Sequence, residues 1–352
     1  MSMLIAPAEF SSFRQDREPE LTRFLSKLTK KKAAQTSVKL SRLALRPGDV
    51  FDFLQVTRCL DATKLSQIYF ARNVGAPQSP EVAIKVFNTT EIEGEQTFAQ
   101  ERDILMAELH PSFPSYISDG KIKGKPYIAM EKMVGIELNA LIDNDELPLW
   151  QIIDIMAQVL FGLRALHEAN KVNRDLKPSN ILLQTNGRVR LLDFGLVCDR
   201  GARFREIIGG TGAYMAIEQS RGEAVFPRSD LYSLGIILFE MLTGTNPMGD
   251  PGSSYHSIAL QQSTELPSLR GRRLPPLVQQ HSVNKKMAGD VVEELDQLIK
   301  GMTAKDPNQR YQCADDVLAD LPLTKVLEIC QDPSWVKAAK TTYWKLFNRF
   351  RL

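Results

Sequence analysis

The sequence predicts an α+β protein of two lobes, a small antiparallel sheet carrying one helix followed by a mainly helical body. Three observations predict it. Between Phe51 and Met133 apolar residues mostly suit short strands, with one intervening segment at helical spacing. After Gly135 the period shifts from two to about 3.6, as helices require. The chain has 352 residues, 43% hydrophobic and 24% charged, which is enough for a two-lobed globular body plus extensions. The lobes are expected to meet near Glu131 to Gly135, where a cleft would hold a ligand.

Taken in order, residues 1–48 form a polar extension. In it Leu21, Phe24, Leu25 and Leu28 recur at helical spacing before Lys30, Lys31 and Lys32. The pattern predicts a short amphipathic helix that caps the body or meets a partner. Strands follow as FDFLQV from Phe51, SQIYFARNV from Ser66 and, after a Gly-Ala-Pro turn, EVAIKVF from Glu81. Phe98, Glu101, Ile104, Leu105 and Leu109 have helix-compatible spacing, and strands return at PSYISDG and KPYIAMEKM. Helices are expected at 149–169, 229–243 and 289–302, with a loop rich in Ser, Pro, Gln and Arg over 250–285. The body thus runs over 49–322, dividing at about 132/133, and a tail covers 323–352.

In that tail Trp335, Ala339, Tyr343, Leu346, Phe347 and Phe350 form a helical stripe interspersed with Lys337, Lys340, Lys345, Arg349 and Arg351. Residues 334–352 contain no acid. A basic aromatic helix of this kind can lie on anionic lipid, dock a partner or pack back on the body. The net charge of +2 gives no global field, so a nucleic-acid partner is not expected. Four scattered cysteines, Cys59, Cys198, Cys313 and Cys330, lack zinc or disulfide spacing, which suits a reducing compartment. The start MSMLIAPAEFSSF lacks a basic opening and has too short an apolar core for a secretory signal. The apolar run Leu234 to Leu242 contains Glu240 and is too short to span a bilayer. A soluble cytoplasmic protein is expected, with peripheral membrane contact through the tail as a further expectation.

The chemistry is concentrated in residues 172–195, VNRDLKPSNILLQTNGRVRLLDFG. Asp175 follows an arginine, Asn180 stands five residues on, and Asp193 lies in an Asp-Phe-Gly triplet. Phosphoryl transfer needs such a set: one carboxylate to orient a hydroxyl, and an amide and a second carboxylate to hold magnesium. The string closely resembles the catalytic and magnesium-binding loops of protein kinases. Val82-Ala83-Ile84-Lys85 resembles the strand whose lysine reaches the nucleotide phosphates, and Glu101, sixteen residues later, resembles its partner glutamate. Downstream, Gly210 to Glu218 resembles the segment that seats a peptide. Ser229 to Gly235 resembles the buried helix that ties down the catalytic loop, and Lys305 to Arg310 supplies an arginine expected to pair with Glu218. The resemblance covers roughly 52–320 and is strongest to bacterial eukaryotic-type Ser/Thr kinases.

That resemblance implies ATP and Mg2+, and a protein substrate with a serine or threonine acceptor. Asp175 would be the catalytic base, with Lys177 stabilising the transferring group. Asn180 and Asp193 would ligate metal. Lys85 and Glu101 would position ATP, backbone groups near Glu131 and Met133 would bind adenine, and Met130 would gate the rear of the pocket. Leu60, Ile68, Ala83 and Leu182 would sandwich the base. Lys177 together with Thr211 resembles Ser/Thr rather than tyrosine kinases.

Four departures stand out. Asp61, Thr63 and Ser66 occupy the places of three glycines that would let backbone N–H groups approach phosphate. Asn173 replaces the usual histidine, and its amide can still bond nearby backbone. Ile217 replaces a proline. Leu196 to Gly210 contains no Ser, Thr or Tyr, so a fixed acid such as Glu206 is expected to pair with Arg174 in place of a phosphate. The missing glycines and Asn173 also fit an alternative, a pseudokinase serving as a nucleotide-binding scaffold. A small-molecule kinase fits less well, given Gly210 to Glu218 and Arg310.

Overall fold

The computed structural model describes residues 45–62, 66–88, 92–143, 147, 149–203, 212–249, 254–270, 272, 285–322 and 326. The helix expected at Leu21 to Leu28, the basic aromatic stripe from Trp335 to Phe350, and Thr63, Lys64, Glu206 and Thr211 lie outside the described residues.

Six strands form one antiparallel sheet in the order β1-β2-β3-β4-β6-β5. They are β1 (Val50–Phe51), β2 (Leu54–Ala62), β3 (Ser66–Asn73), β4 (Val82–Phe87), β5 (Tyr116–Ile122) and β6 (Lys125–Glu131). The expected single strand FDFLQV is split, because Asp52 takes a φ of 49° and turns the chain between β1 and β2. Strand alternation sorts the side chains into two faces. Tyr69, Ala71, Ile84, Val86, Tyr127 and Ala129 pack with Leu45, Leu54 and Val56 in a small core. Cross-strand pairing of Lys85 with Ile68 and Ile128, and of Ala83 with Met130, puts those five residues on the other face. Against that face lies helix α1 (Ile92–Met106), where the Phe87 and Phe98 rings meet edge-on at 5.5 Å. Helix α1 stops before Leu109, since Glu108 has a φ of 45°.

Beyond Gly135 the expected mainly helical pattern also holds two small sheets that were not expected. Strands β7 (Ile136–Glu137), β9 (Ile181–Leu183) and β10 (Val189–Leu191) form one, and β8 (Lys171–Val172) with β11 (Cys198–Asp199) forms the other. Segments of two or three residues are too short to show a period, which is why alternation missed them. The helices are α2 (Leu138–Ile142), α3 (Leu149–Glu168), α4 (Ile217–Ser220), α5 (Pro227–Thr243), α6 (Ser254–Ser263), α7 (Lys285–Thr303) and α8 (Ala314–Asp320).

Helix α3 is apolar enough to suit a bilayer by length and composition, a longer such run than Leu234 to Leu242. Its residues are buried on nearly every side, as a central core helix requires. Helix α5 starts with Pro227 in its first turn and ends at Gly244, whose φ of 71° closes the helix. Helix α6 lies where a loop was expected. It is mostly polar, with Ser257 and Gln261 fully buried and Leu260 packed against the main core. The main core spans the helical lobe and takes in Phe87, Ile104, Leu105, Ile128 and Met130 from the sheet and α1.

Candidate active site

Lys85, on the inner face of β4, meets carboxylates from both lobes. Its Nζ donates to Glu101 Oε2 at 2.6 Å and to Asp193 Oδ1 at 2.7 Å. Burial alone would lower the Lys85 pKa, but the charges of Asp193 and Glu101 outweigh it and raise the group above its ordinary value. Glu101 is only 2% exposed, and burial pushes its carboxyl up to about 7 against the pull of Lys85. Asp193 is different, with 44% of its side chain exposed. Burial opposes its charged form, yet Lys85 and the Gly195 N–H hold the carboxyl below the ordinary aspartate value.

The Asp-Phe-Gly triplet is locked by close packing. Asp193 takes a φ of 62°, and buried Phe194 packs its ring 4.6 Å from that of Phe113. A Cβ at position 195 would lie 2.9 Å from Thr97 Cγ2 and 3.3 Å from Glu101 Oε2, so only glycine lets α1 approach this closely.

The loop between β8 and β9 is held from below by Asp230 of α5, which is 0% exposed. Its carboxylate accepts from the backbone N–H of Asn173 at 2.8 Å and of Arg174 at 2.9 Å, and His167 Nε2 lies 2.8 Å away. Asn173 Oδ1 accepts from the Asp175 N–H at 3.1 Å. Above this base, Lys177 Nζ donates to Asp175 Oδ2 at 2.6 Å. Asn180 Nδ2 donates to the Asp175 carbonyl at 2.9 Å and to Oδ2 at 3.2 Å. Burial raises the Asp175 carboxyl above its ordinary value, with Lys177 pulling the other way. The Leu192 N–H donates to the Asn180 carbonyl at 2.8 Å, so the strings carrying Asp175 and Asp193 are joined through backbone.

The other sequence-predicted residues lie on β2, β3, β4, β6 and β9 and in the connection after β6. Ile68 and Ala83 share the Lys85 face, and the register shift between Cys59 and Asp61 leaves Leu60 unpaired beside the Asp61–Ile68 pair. Leu182 lies on β9, paired with Glu137 of β7. Glu131 and Met133 stand at the end of β6 and in the connection after it. At Gly135 a Cβ would meet the Leu183 carbonyl oxygen at 2.8 Å, which makes glycine necessary where the connection passes β9.

Two ties on this connection were not foreseen. Buried Arg190 of β10 donates to Glu131 Oε2 at 2.6 Å and to the Phe113 carbonyl at 3.1 Å. Lys132 donates to Glu81 Oε2 at 2.6 Å. A lone arginine between Val189 and Leu191 was the available signal. Only the fold identifies its partners.

Arg310 Nη1 donates to Glu218 Oε1 at 2.9 Å, and the Ser229 hydroxyl donates to the same oxygen at 2.7 Å. Arg174 donates to the Leu196 carbonyl at 3.3 Å.

Chemically, Asp175 is a carboxylate held beside a lysine. With Nδ2 turned to Asp175, Asn180 keeps Oδ1 for a cation, and Asp193 keeps Oδ2. Among the described residues no group of three or more His, Cys, Asp or Glu could hold a metal. A hard cation at this pair of oxygens would therefore complete its shell with phosphate and water, as magnesium commonly does.

A model of the protein kinase domain matches residues 64–320. Similar curated chains include the serine/threonine-protein kinase PknB of Mycolicibacterium smegmatis, 30% identical over 288 residues, covering 78% of this chain and 43% of that protein. The serine/threonine-protein kinase PrkC of Bacillus subtilis is 29% identical over 313 residues, covering 81% and 45%. The chain thus spans less than half the length of these relatives.

Proposed function

Because this chain belongs to the protein kinase domain family, we propose that it is an ATP- and magnesium-dependent protein kinase transferring the γ-phosphate to serine or threonine hydroxyls. The observation that carries this reading is the convergence of Lys85 from β4, Glu101 from α1 and Asp193 from the segment after β10, beside the Asp175, Lys177 and Asn180 cluster. The names of its bacterial relatives support serine or threonine as acceptor.

Bound magnesium would neutralise the nucleotide phosphates and polarise the group being transferred. Asn180 Oδ1 and Asp193 Oδ2 are the oxygens that would hold it. Lys85, kept charged and aimed by Glu101, donates to phosphate oxygens in the crevice. Asp175 orients the acceptor hydroxyl and takes its proton, a task suited to a carboxyl raised by burial. Lys177, 2.6 Å from Asp175, puts positive charge where the transferring group gains negative charge. Leu60, Ile68, Ala83 and Leu182 enclose the base, with backbone groups near Glu131 and Met133 giving it hydrogen bonds.

Transfer of labelled γ-phosphate from Mg-ATP to generic protein substrates tests this, comparing wild type with Asp175→Ala. Activity absent in wild type would favour the pseudokinase scaffold suggested by the glycine-free segment at Asp61 to Ser66. Activity undiminished in the variant would remove Asp175 from the mechanism. We also propose a cytoplasmic protein whose tail, residues 323–352, contacts membrane, docks a partner or packs back on the body, in which Val326 is already buried. Liposome co-sedimentation of the full chain against one ending at Pro333 separates these, since equal binding rules out lipid.

A further inference from the structure

The peptide unit joining Arg174 to Asp175 is gripped at both ends by side-chain amides. Its carbonyl oxygen accepts from Gln219 Nε2 at 3.0 Å, and its N–H donates to Asn173 Oδ1 at 3.1 Å. Both side chains are buried, Asn173 at 4% and Gln219 at 8% exposure. The remaining heteroatom of Gln219 is also used, because Oε1 accepts from the Ala216 N–H at 3.3 Å.

Three features give this contact a purpose beyond filling space. Arg174 has a φ of 68°, a conformation that side-chain-bearing residues rarely hold unaided, so the unit would relax if released. The clamped unit leads directly into Asp175, and rotating it swings that carboxylate. Gln219 belongs to α4, within the stretch that follows the sequence resembling a peptide seat, so the bond joins the acceptor side of the site to the backbone of the reacting residue.

The chemistry of position 173 then has an explanation. An asparagine carbonyl reaches the N–H two residues on and closes an Asx turn, which an imidazole does not reproduce with the same geometry. We propose that Asn173 and Gln219 are paired positioning residues, an amide clamp that sets the plane of the Arg174–Asp175 peptide and aims the Asp175 carboxylate at the acceptor hydroxyl. This rests on the kinase reading above. It makes Asn173 a working substitution for histidine.

The test uses the full chain with Asn173→Ala, Gln219→Met and the double variant, read by steady-state kinetics and by hydrogen exchange over 173–177. Exchange there rises in each variant. kcat falls about 10- to 100-fold in each single variant, in line with misplacement of a reacting group, while KM for ATP stays within about two-fold. The double variant loses little more than the worse single one, because both bonds hold one peptide unit. Asn173→Asp keeps the acceptor oxygen and recovers kcat at high pH, with the acid limb of its pH profile moved upward, since a second carboxylate beside Asp175 disfavours the ionised form. Gln219→Glu replaces the donor by an oxygen facing the Arg174 carbonyl, and serves if Gln219→Met does not fold.

Unchanged exchange in the single variants overturns the clamp whatever the activity. Raised exchange with unchanged kcat overturns its role in turnover, and losses that multiply in the double variant overturn the pairing. A wild-type chain that transfers no phosphate overturns the kinase reading, and with it the role in turnover. The exchange data tell that failure apart from failure of the clamp.

Discussion

Lys85–Glu101 and Arg310–Glu218 are buried ion pairs of the same chemistry in different lobes, and their surroundings give them different work. The first lies where the sheet meets the helical lobe. Its lysine also reaches Asp193, which is half exposed, so the pair has a third member open to solvent, where the proposed reaction would place a phosphate. The second is enclosed within the helical lobe, where the Arg310 guanidinium lies 4.6 Å from the Tyr232 ring centre and Ser229 bonds the shared Glu218 oxygen. No phosphate can enter there. A buried pair open to a cleft serves ligand chemistry, whereas one without an exit holds chain segments in place.

Substitutions should separate the two. Lys85→Met is expected to reduce phosphate transfer on the order of 100- to 1000-fold, by analogy with loss of one donor to a developing charge. Its melting temperature should change little at pH 6, because Glu101 can take up a proton. Arg310→Ala should show the reverse pattern, losing about 3–5 kcal/mol of stability in a denaturant titration. Its activity well below the melting point should stay within a few-fold of wild type. If Arg310→Ala instead loses activity while keeping its stability, the distinction between the pairs fails.

Gly195→Ala probes the contact that lets the cleft pair form. Its methyl group would sit 2.9 Å from Thr97 Cγ2, and overpacking of this kind costs about 1–3 kcal/mol. Assays should show transfer reduced by about ten-fold if part of that cost falls on the active arrangement.

pH sharpens the comparison further. Glu101 has an ordinary value of 4.5 and stands at about 7 in the folded chain, so the folded state holds the extra proton. That stability is complete below pH 4.5 and is lost as the pH rises to about 7. Lys85→Met removes the charge that pulls the carboxyl down, so its loss should continue above pH 7. Denaturant titrations of variant and wild type from pH 6 to pH 9 would show a widening gap if this holds.

The smallest effect is expected at the roof. Asp61→Gly should lower KM for ATP about three-fold, because backbone without a Cβ approaches phosphate more closely. An unchanged KM would mean that this strand end does not cover the phosphates.

Much of this arrangement could be read in the chain. Alternation located the strands from Ser66 to Glu131, and resemblance to protein kinase motifs picked out Lys85, Glu101 and Asp193, which meet one another, and Asp175 and Asn180, which meet each other. The two small sheets and α6 escaped because short strands have no measurable period and α6 has no clear apolar face. The ties of Arg190 to Glu131 and of Gln219 to Arg174 escaped for another reason. They join residues 59 and 45 positions apart, and nothing local in either residue names its partner.

Residue type and order by themselves determined which groups the proposed phosphoryl transfer can draw on, because a carboxylate, an amide and a lysine have the same chemistry wherever they are placed. Tertiary structure alone decided which of them share a proton or a charge. Lys85 meets Asp193 across 108 positions of chain, and Asp230 anchors the loop beneath Asp175 from more than fifty positions away. Hydrogen bonds act over about 3 Å, so contacts of this kind depend on how the lobes close and cannot be read from order along the chain.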